Sequence, residues 1–494
     1  MERGSGILLH ISSLPSPYGI GTLGRAAYEF IDFLKRAGQK YWQILPISPT
    51  GFGDSPYQSY STFAGNPYFI DLDTLSEDGK LDPEVYRNIK WCDNPEYADY
   101  SRLFAHRISV LKQAYKADID DLREELIDFR RQKSYWIENY ALFMALKYKY
   151  DLKPYTEWPD DIKTRNSEAM VSAYNELCDE IEFWIYVQYR FFEQWERLKE
   201  YAEKQGIKII GDIPIYVAED SADAWAHNEI LQLDEVRKPI NVAGCPPDYF
   251  SPKGQLWGNP LYDWDYLKST GYEWWIERIK SALSLFDVVR IDHFRAFANY
   301  FSIPFGAEDA TDGKWEIGPG TDFFDTLKRE LGTAPPIIAE DLGMIDRPVR
   351  ELLAYTGFPG MKVLQFAFDP DGSSEYIPHK FNKNCVAYLG THDNDTIAGW
   401  LETVDDKTLA FAREYMRLND TENDIIGIIK TLMASVADVS IITMQDILGL
   451  GSKARMNIPS EPCGNWQWRL TLNWVFFDET ADWIQKITKT YGRC

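Results

Sequence analysis

The sequence has few of the features that cross-link small secreted proteins or anchor a chain in a membrane. Its six cysteines are scattered over 494 residues without a Cys-x-x-Cys pair, which disfavours a disulfide frame or a zinc site. We interpret them as reduced thiols of a cytoplasmic protein. No cleavable apolar segment follows Met1, and no run of about 18 apolar residues occurs. A secretory signal and a membrane-spanning helix are therefore not expected.

Signals for nucleotide and nucleic-acid binding are also scarce. No Gly-x-Gly-x-x-Gly follows a strand-like run, and no phosphate loop is present. The 76 acidic residues outnumber the 52 basic ones, for a net charge of −24, which repels nucleic acids and anionic membranes. Because no cluster of side chains has metal-ligand spacing, we expect no metal and no organic cofactor.

Apolar residues and aromatic rings are abundant. An apolar fraction of 45% with 26% charged residues is typical of a soluble globular protein with a full core. The 17 Trp and 30 Tyr exceed the needs of a core. Flat amphipathic rings also hold sugars, although core or interface packing is an equally good explanation for any single ring.

The order of apolar runs predicts an α/β protein. Eight runs of strand length alternate with amphipathic helical patterns, which favours a (β/α)₈ TIM barrel. An open doubly wound sheet is the alternative, but the phosphate-binding motifs of such sheets are missing. The eight runs lie at 7–10, 41–47, 207–213, 286–292, 336–341, 361–366, 385–389 and 440–445.

Two spacings between these strands are too long for a simple barrel unit. Residues 75–205 carry helical patterns and predict an inserted helical subdomain between strands 2 and 3, in which the aromatic stripe 183–192 packs helix on helix. Residues 214–272 are rich in Pro, Gly and Asn and predict a substrate-loop subdomain between strands 3 and 4. The roughly 50 residues after the eighth strand are too few for a C-terminal β-sandwich. We therefore expect 1–494 to form one catalytic barrel domain.

The strand at 286–292 turns charged at its carboxyl end. Val288, Arg290 and Asp292 alternate and therefore share one face, while Val289 and Ile291 share the other. Arg290 favours the ionised form of Asp292, which is the state a nucleophile needs. An ordinary buried ion pair is the alternative explanation.

Two further strands end in acids. Only one of Glu340 and Asp341 can face the barrel interior, and Glu340 shares a face with the apolar Ile338. His392 and Asp393 follow the strand at 385–389. One ionised nucleophile and one protonated acid are what glycosidic bond chemistry requires, so we assign Asp292 and Glu340 to these roles. A third carboxylate, Asp393, can stabilise the transition state or hold sugar hydroxyls.

Motifs along nearly the whole chain resemble family 77 of the glycoside hydrolases, the 4-α-glucanotransferases related to the α-amylase clan. They include Gly53-Asp-Ser-Pro-Tyr-Gln58, Gly211-Asp-Ile-Pro-Ile-Tyr-Val217, Trp257-Gly-Asn-Pro260, Arg290-Ile-Asp-His-Phe-Arg295, Ala339-Glu-Asp-Leu-Gly343 and Thr391-His-Asp-Asn394.

The resemblance implies a retaining transfer of α-1,4-glucan segments from a donor to the 4-hydroxyl of an acceptor glucan or glucose, through a covalent glycosyl-enzyme. It implies the same catalytic acids, Asp292, Glu340 and Asp393. It also implies a set of residues that contact α-1,4-glucans such as maltooligosaccharides, amylose, glycogen or starch fragments. These residues are Ser55, Tyr57, Gln58, Asp212, Tyr249, Phe250, Gln255, Trp257, Asn259, Pro260, Arg290 and His392.

Several alternatives stay open. An α-amylase-like hydrolase would use the same carboxylates, and a non-enzymatic glucan-binding module would use the same aromatics; the three strand-end acids favour an enzyme. Asp212 could be only an ion-pair partner of Arg290. His10, at the end of the first strand, is expected to be a hydrogen-bonded wall residue rather than a ligand.

Overall fold

A computed structural model describes residues 1–51, 53–247, 252–343, 345–419, 421–459, 461, 463–471 and 478–494. Within these residues the strands are β1 (Gly4–Leu8), β2 (Tyr41–Gln43), β3 (Lys208–Pro214), β4 (Asn241–Cys245), β5 (Gln255–Pro260), β6 (Val288–Asp292), β7 (Asn299–Pro304), β8 (Lys314–Ile317), β9 (Ile337–Ala339), β10 (Gly360–Val363), β11 (Cys385–Tyr388) and β12 (Val439–Thr443).

The α-helices of the same residues are α1 (Arg25–Arg36), α2 (Leu72–Glu77), α3 (Tyr100–Asp118), α4 (Arg123–Gln132), α5 (Ile137–Lys149), α6 (Asp160–Lys163), α7 (Ser167–Glu176), α8 (Cys178–Gln205), α9 (Ala222–Ala226), α10 (Trp264–Ser269), α11 (Glu273–Leu285), α12 (Gly320–Leu331), α13 (Arg347–Thr356), α14 (Ile397–Thr403), α15 (Asp406–Met416), α16 (Asp424–Ala434), α17 (Met444–Ile447) and α18 (Asp478–Thr490). None of them is long and apolar enough to cross a membrane.

Eight strands form the predicted barrel. Their order is β10-β11-β12-β1-β2-β3-β6-β9, and every neighbouring pair is parallel. The ring closes between β9 and β10, where the Ala339 N–H donates to the Pro359 carbonyl at 3.0 Å. All eight apolar runs of the sequence thus correspond to barrel strands, and the fold class is confirmed.

Strand alternation separates two apolar layers. Val288, Ile338 and Ile441 belong to a cluster contributed by the barrel strands, which fills the barrel interior. Val289, Ile291 and their counterparts on other strands point outward into the large core beneath the helices. Arg290 and Asp292 therefore share the inner face with Val288, as their spacing predicts.

Helices α1 and α8 both bury apolar stripes. In α1, Ala27, Phe30, Ile31 and Leu34 are buried at helical spacing. The 28-residue α8 buries most of its 183–192 stripe against neighbouring helices. It ends at Gln205 and is capped by Gly206, whose φ of +78° suits a glycine C-cap. The predicted packing role of this stripe is confirmed.

The segment after β3 is not folded by itself. Its strands β4 and β5 join β7 and β8, which follow barrel strand β6, in an antiparallel sheet of order β5-β4-β7-β8. The sequence analysis did not predict the β7–β8 hairpin, because β8 is short and largely exposed. This sheet holds Gln255, Trp257 and Asn259 beside the barrel mouth.

Asp341 bridges the seam between β9 and β10. Its Oδ1 accepts the Met361 N–H at 2.6 Å, and a Cβ on Gly360 would lie 2.6 Å from the same carboxylate, so glycine is needed for this close approach. Burial raises the pKa of Asp341 to about 6. Asp341 is therefore a wall residue, and its neighbour Glu340 is the acid that faces inward.

Replacing Asp341 by Asn should stabilise the protein at pH 8 by about 2–3 kcal/mol. The folded-state pKa of about 6 exceeds the ordinary value of 3.8, so the native state loses stability as the pH rises from about 4 to 6. Asn keeps an acceptor for Met361 without the charge. Urea unfolding at pH 4 and pH 8 measures the effect, and a gain that does not grow with pH would contradict it.

Candidate active site

A cavity of about 620 Å³ opens at the carboxyl ends of the barrel strands. Its wall combines barrel-strand ends, the loop after β2, strand β5 and the segment that follows β12 and the short helix α17. We call this last segment the loop after β12. The residues that line it are Gly53, Ser55, Tyr57, Gln58, Pro214, Ile215, Tyr216, Gln255, Trp257, Asn259, Asp292, His293, His392, Asp393, Asn457, Ile458, Pro459, Glu461, Asn465 and Trp466. The carboxyl ends of barrel strands are where enzymes of this fold carry their active sites.

Arg290 is ion-paired with two carboxylates, of which Asp292 lines this cavity. Its Nη2 lies 2.7 Å from Asp292 Oδ1 and its Nη1 lies 2.5 Å from Asp212 Oδ2. Burial alone would lower the pKa of Arg290, but Asp212 and Asp292 raise it well above its ordinary value. The Asp292 side chain is 29% exposed and that of Asp212 is fully buried. Asp292 is therefore the acid of this pair that can reach a substrate.

Glu340 lies next to the cavity-lining His293 and is the second acid of this region. Its oxygens accept the His293 and Leu342 N–H groups, each at 2.7 Å. Burial and the nearby Asp292 raise the pKa of Glu340 to about 8, although Arg290 and the two amides oppose this. Glu340 is therefore mostly protonated at neutral pH and can donate a proton.

The backbone at His293 links these two acids. His293 has a φ of +52°, a left-handed conformation that costs a non-glycine residue of order 1–3 kcal/mol. This turn directly after Asp292 aims the His293 N–H at Glu340, and the Phe294 N–H bonds the Glu340 carbonyl at 3.1 Å. The position of the acid thus depends on the loop that follows the other catalytic strand.

Asp393 occupies the opposite wall with His392. His392 Nε2 lies 3.4 Å from Asp393 Oδ2, and the His392 ring stacks on Tyr57 with centroids 5.1 Å apart. Trp466 packs against both rings. The Asp393 side chain is 46% exposed, so its carboxylate can approach a sugar in the cavity.

Most of the predicted glucan contacts lie around this cavity. The Tyr57 hydroxyl donates to Asp212 at 2.8 Å, and Gln58 Nε2 donates to Asn259 Oδ1 at 3.0 Å. Trp257 Nε1 donates to Gln255 Oε1 at 3.0 Å, and Ser55 lines the cavity. These hydrogen bonds pre-orient the side chains before a ligand arrives.

Other predicted positions lie elsewhere. Pro260 is buried where β5 pairs with Val242 and is not part of the cavity wall. Tyr249 and Phe250 lie outside the described residues. His10 is a wall residue as predicted: its Nδ1 accepts the Leu45 N–H at 3.3 Å, and burial, aided by His392, lowers the pKa of His10 to about 3.

Sequence reasoning missed the loop after β12. Asn457, Asn465 and Trp466 of this loop line the cavity. Their segment mixes Pro, Gly, Asn and Trp just as residues 254–262 do, and that composition is the signal that could have identified it.

The barrel and its acids define the class of protein. An accessible carboxylate next to a buried carboxylic acid of raised pKa is an arrangement used by enzymes that act on glycosidic bonds. Across the described residues, no group of three or more His, Cys, Asp and Glu side chains has a metal-binding arrangement.

The comparisons with known proteins agree with this class. Residues 9–473 match glycoside hydrolase family 77, described as 4-alpha-glucanotransferase, and the chain belongs to this family. It is 50% identical over 488 residues to a 4-alpha-glucanotransferase of Clostridium butyricum, covering 98% of this chain and 100% of the relative. It is 46% identical over 483 residues to one of Thermus thermophilus, covering 95% of both chains.

A solved structure extends the likeness to three dimensions. The amylomaltase of Streptococcus agalactiae, determined in complex with acarbose, superposes with a TM-score of 0.97 at 44% identity and covers 100% of both chains. The chain is a 4-alpha-glucanotransferase.

Proposed function

We propose that the chain transfers α-1,4-glucan segments with Asp292 as nucleophile, Glu340 as general acid and base, and Asp393 as stabiliser of the transition state. The observation that carries this assignment is the contrast between two neighbouring acids. Asp292 is ion-paired with Arg290, whereas burial raises the pKa of Glu340 to about 8. The two halves of a retaining reaction need one acid of each kind.

In the first step, Glu340 donates its proton to the glycosidic oxygen while an Asp292 oxygen attacks C1 of the donor sugar. The C1–O bond breaks, the reducing-end fragment leaves as an alcohol, and the donor segment stays bound to Asp292 as an ester. Positive charge develops on the sugar ring during this step. The carboxylate of Asp393 is close enough to the cavity to stabilise that charge.

In the second step, the 4-hydroxyl of an acceptor glucan or glucose attacks C1 and gives its proton to the Glu340 carboxylate. The ester to Asp292 breaks, which restores both acids to their starting states. Water at the same position would give hydrolysis instead. The aromatic wall made by Tyr57, Trp257 and Trp466 favours a sugar acceptor, because flat rings stack on sugar faces.

The substrates that fit this chemistry are α-1,4-glucans, namely maltooligosaccharides, amylose, and glycogen or starch fragments. Within this proposal Asp212 positions Arg290, and Tyr57, Gln58, Gln255, Trp257 and Asn259 contact the glucan. Residues 75–205 act as a helical subdomain that supports the barrel, and 214–272 act as a substrate-loop subdomain. The six cysteines are widely spaced and include no Cys-x-x-Cys pair, which suits a reducing compartment, so we assign the enzyme to the cytoplasm.

Incubation with pure maltotriose should produce glucose together with a ladder of longer oligosaccharides. Each transfer moves a maltosyl or glucosyl unit to another maltotriose, whereas hydrolysis only shortens chains. The products are followed over time by chromatography, and maltotriose incubated without the protein is the control. Glucose and maltose without any longer product would overturn the assignment of transfer.

A further inference from the structure

Asp393 differs from the other two acids in how it is held. Asp292 is bonded by Arg290 of its own strand, and Glu340 accepts two backbone N–H groups. In the loop that carries Asp393, His392 Nε2 lies 3.4 Å from Asp393 Oδ2. The Thr391 hydroxyl of this loop accepts the backbone N–H of Asp393 and so does not hold its carboxylate. A half-exposed carboxylate with this support alone would be free to change rotamer.

The missing support comes from two residues of the loop after β12. Asn457 Nδ2 donates to Asp393 Oδ1 at 2.6 Å, and the Asn457 N–H donates to the His392 carbonyl at 3.1 Å. Arg455 Nη2 donates to the Asp393 carbonyl at 2.6 Å, while Arg455 Nε donates to the Asn457 carbonyl at 2.7 Å. Backbone and side chain of Asp393 are thus fixed from one neighbouring loop.

We propose that Asn457 is a positioning residue that acts through Asp393. Because the Asn457 amide binds Oδ1 of Asp393, the other oxygen, Oδ2, faces His392 and the cavity, where the charge on the sugar develops. A neutral amide orients this carboxylate without cancelling its charge, as a lysine or arginine in its place would. This inference rests on the proposed role of Asp393.

The decisive variant is Asn457→Asp, assayed by maltotriose disproportionation from pH 5 to pH 7. In this variant two carboxyl groups, those of residues 457 and 393, lie within hydrogen-bond distance. At low pH they share one proton, which keeps the orientation of Asp393. At higher pH both ionise, and their repulsion separates them. The ratio of variant to wild-type kcat should rise at least about tenfold as the pH falls from 7 to 5. A purely structural role would give a ratio that does not depend on pH.

Asn394→Asp is the matched control. Asn394 follows Asp393 directly, but its side-chain Oδ1 accepts the N–H and the hydroxyl of Thr391, and an aspartate keeps an acceptor for both. The same change of charge there should alter the ratio of kcat values by less than about threefold between pH 5 and pH 7. An equal rise in both variants would overturn the proposal.

Asn457→Ala keeps the test valid if the charged variant does not fold. It removes one hydrogen bond to a charged group and should lower kcat by about 10- to 100-fold, with KM changed by less than about threefold. Circular dichroism checks that the variant is folded. A kcat within about twofold of wild type would overturn the proposal.

The Asp393→Asn variant distinguishes a failure of the positioning role of Asn457 from a failure of the proposed role of Asp393. An Asp393→Asn enzyme with near-normal kcat would overturn both the stabilising role of Asp393 and the positioning role of Asn457. An inactive Asp393→Asn enzyme together with near-normal Asn457 variants would overturn the positioning role alone.

Discussion

Replacing Asp292 by Asn is expected to lower the rate of maltotriose disproportionation by about 10⁴-fold or more. The amide keeps the shape of the side chain and an acceptor for Arg290, but it cannot attack C1 or carry the glycosyl ester. The measurement is the initial rate of glucose release, with oligosaccharide products followed by chromatography.

Asp341→Asn is the matched control for this experiment. It makes the same chemical change on the neighbouring barrel strand, but its carboxylate bonds the Met361 N–H in the barrel wall rather than facing the cavity. We expect its rate to stay within a few-fold of wild type. Near-normal transfer by the Asp292→Asn enzyme, or a covalent sugar found on Asp341 or Asp393, would show that the nucleophile is assigned to the wrong residue.

The sequence could predict the barrel because strand patterns are local. Eight apolar runs each alternate or stay apolar over four to seven residues, and period-two alternation is enough to decide which side chains share a face. Val288, Arg290 and Asp292 therefore come out on the inner face, as do Ile338 and Glu340. The insertions are recognised because the spacing between two consecutive strands is longer than a simple barrel unit needs.

Contacts between distant segments could not be predicted in this way. The partner of β4 is β7, which lies beyond the next barrel strand, and no local pattern specifies such a pairing. Asn457 reaches Asp393 across 64 residues of chain. Pro260 lies within a motif of the resembling family, yet β5 turns it into the sheet and away from the cavity.

The protonation states of the acids also required the folded structure. Sequence places Glu340 on an apolar strand, which suggests burial, but the final pKa depends on opposing contributions. Burial and Asp292 raise the pKa, whereas Arg290 and the amides of Leu342 and His293 lower it. The left-handed backbone at His293 that supplies one of these amides has no signal in a sequence without glycine at that position.

Replacing Glu340 by Gln should abolish transfer from ordinary glucans while leaving the first step intact for a donor that needs no proton, such as a glycosyl fluoride. Wild-type activity on maltotriose should fall as the pH rises through about 8, because the Glu340 pKa of about 8 sets the protonated fraction of the acid. Fluoride release by the Glu340→Gln enzyme should show no such decline, because Gln does not titrate.

The covalent intermediate provides the sharpest check on this variant. With the nucleophile present and no base to activate an acceptor, the glycosyl-enzyme should accumulate and appear by mass spectrometry on a peptide that contains Asp292. The double variant Asp292→Asn/Glu340→Gln is the control and should carry no label. If the Glu340→Gln enzyme releases no fluoride although it is folded, Glu340 contributes more than a proton to the first step. If it processes maltotriose normally, another residue is the acid, because an amide at 340 has no proton of suitable pKa to donate.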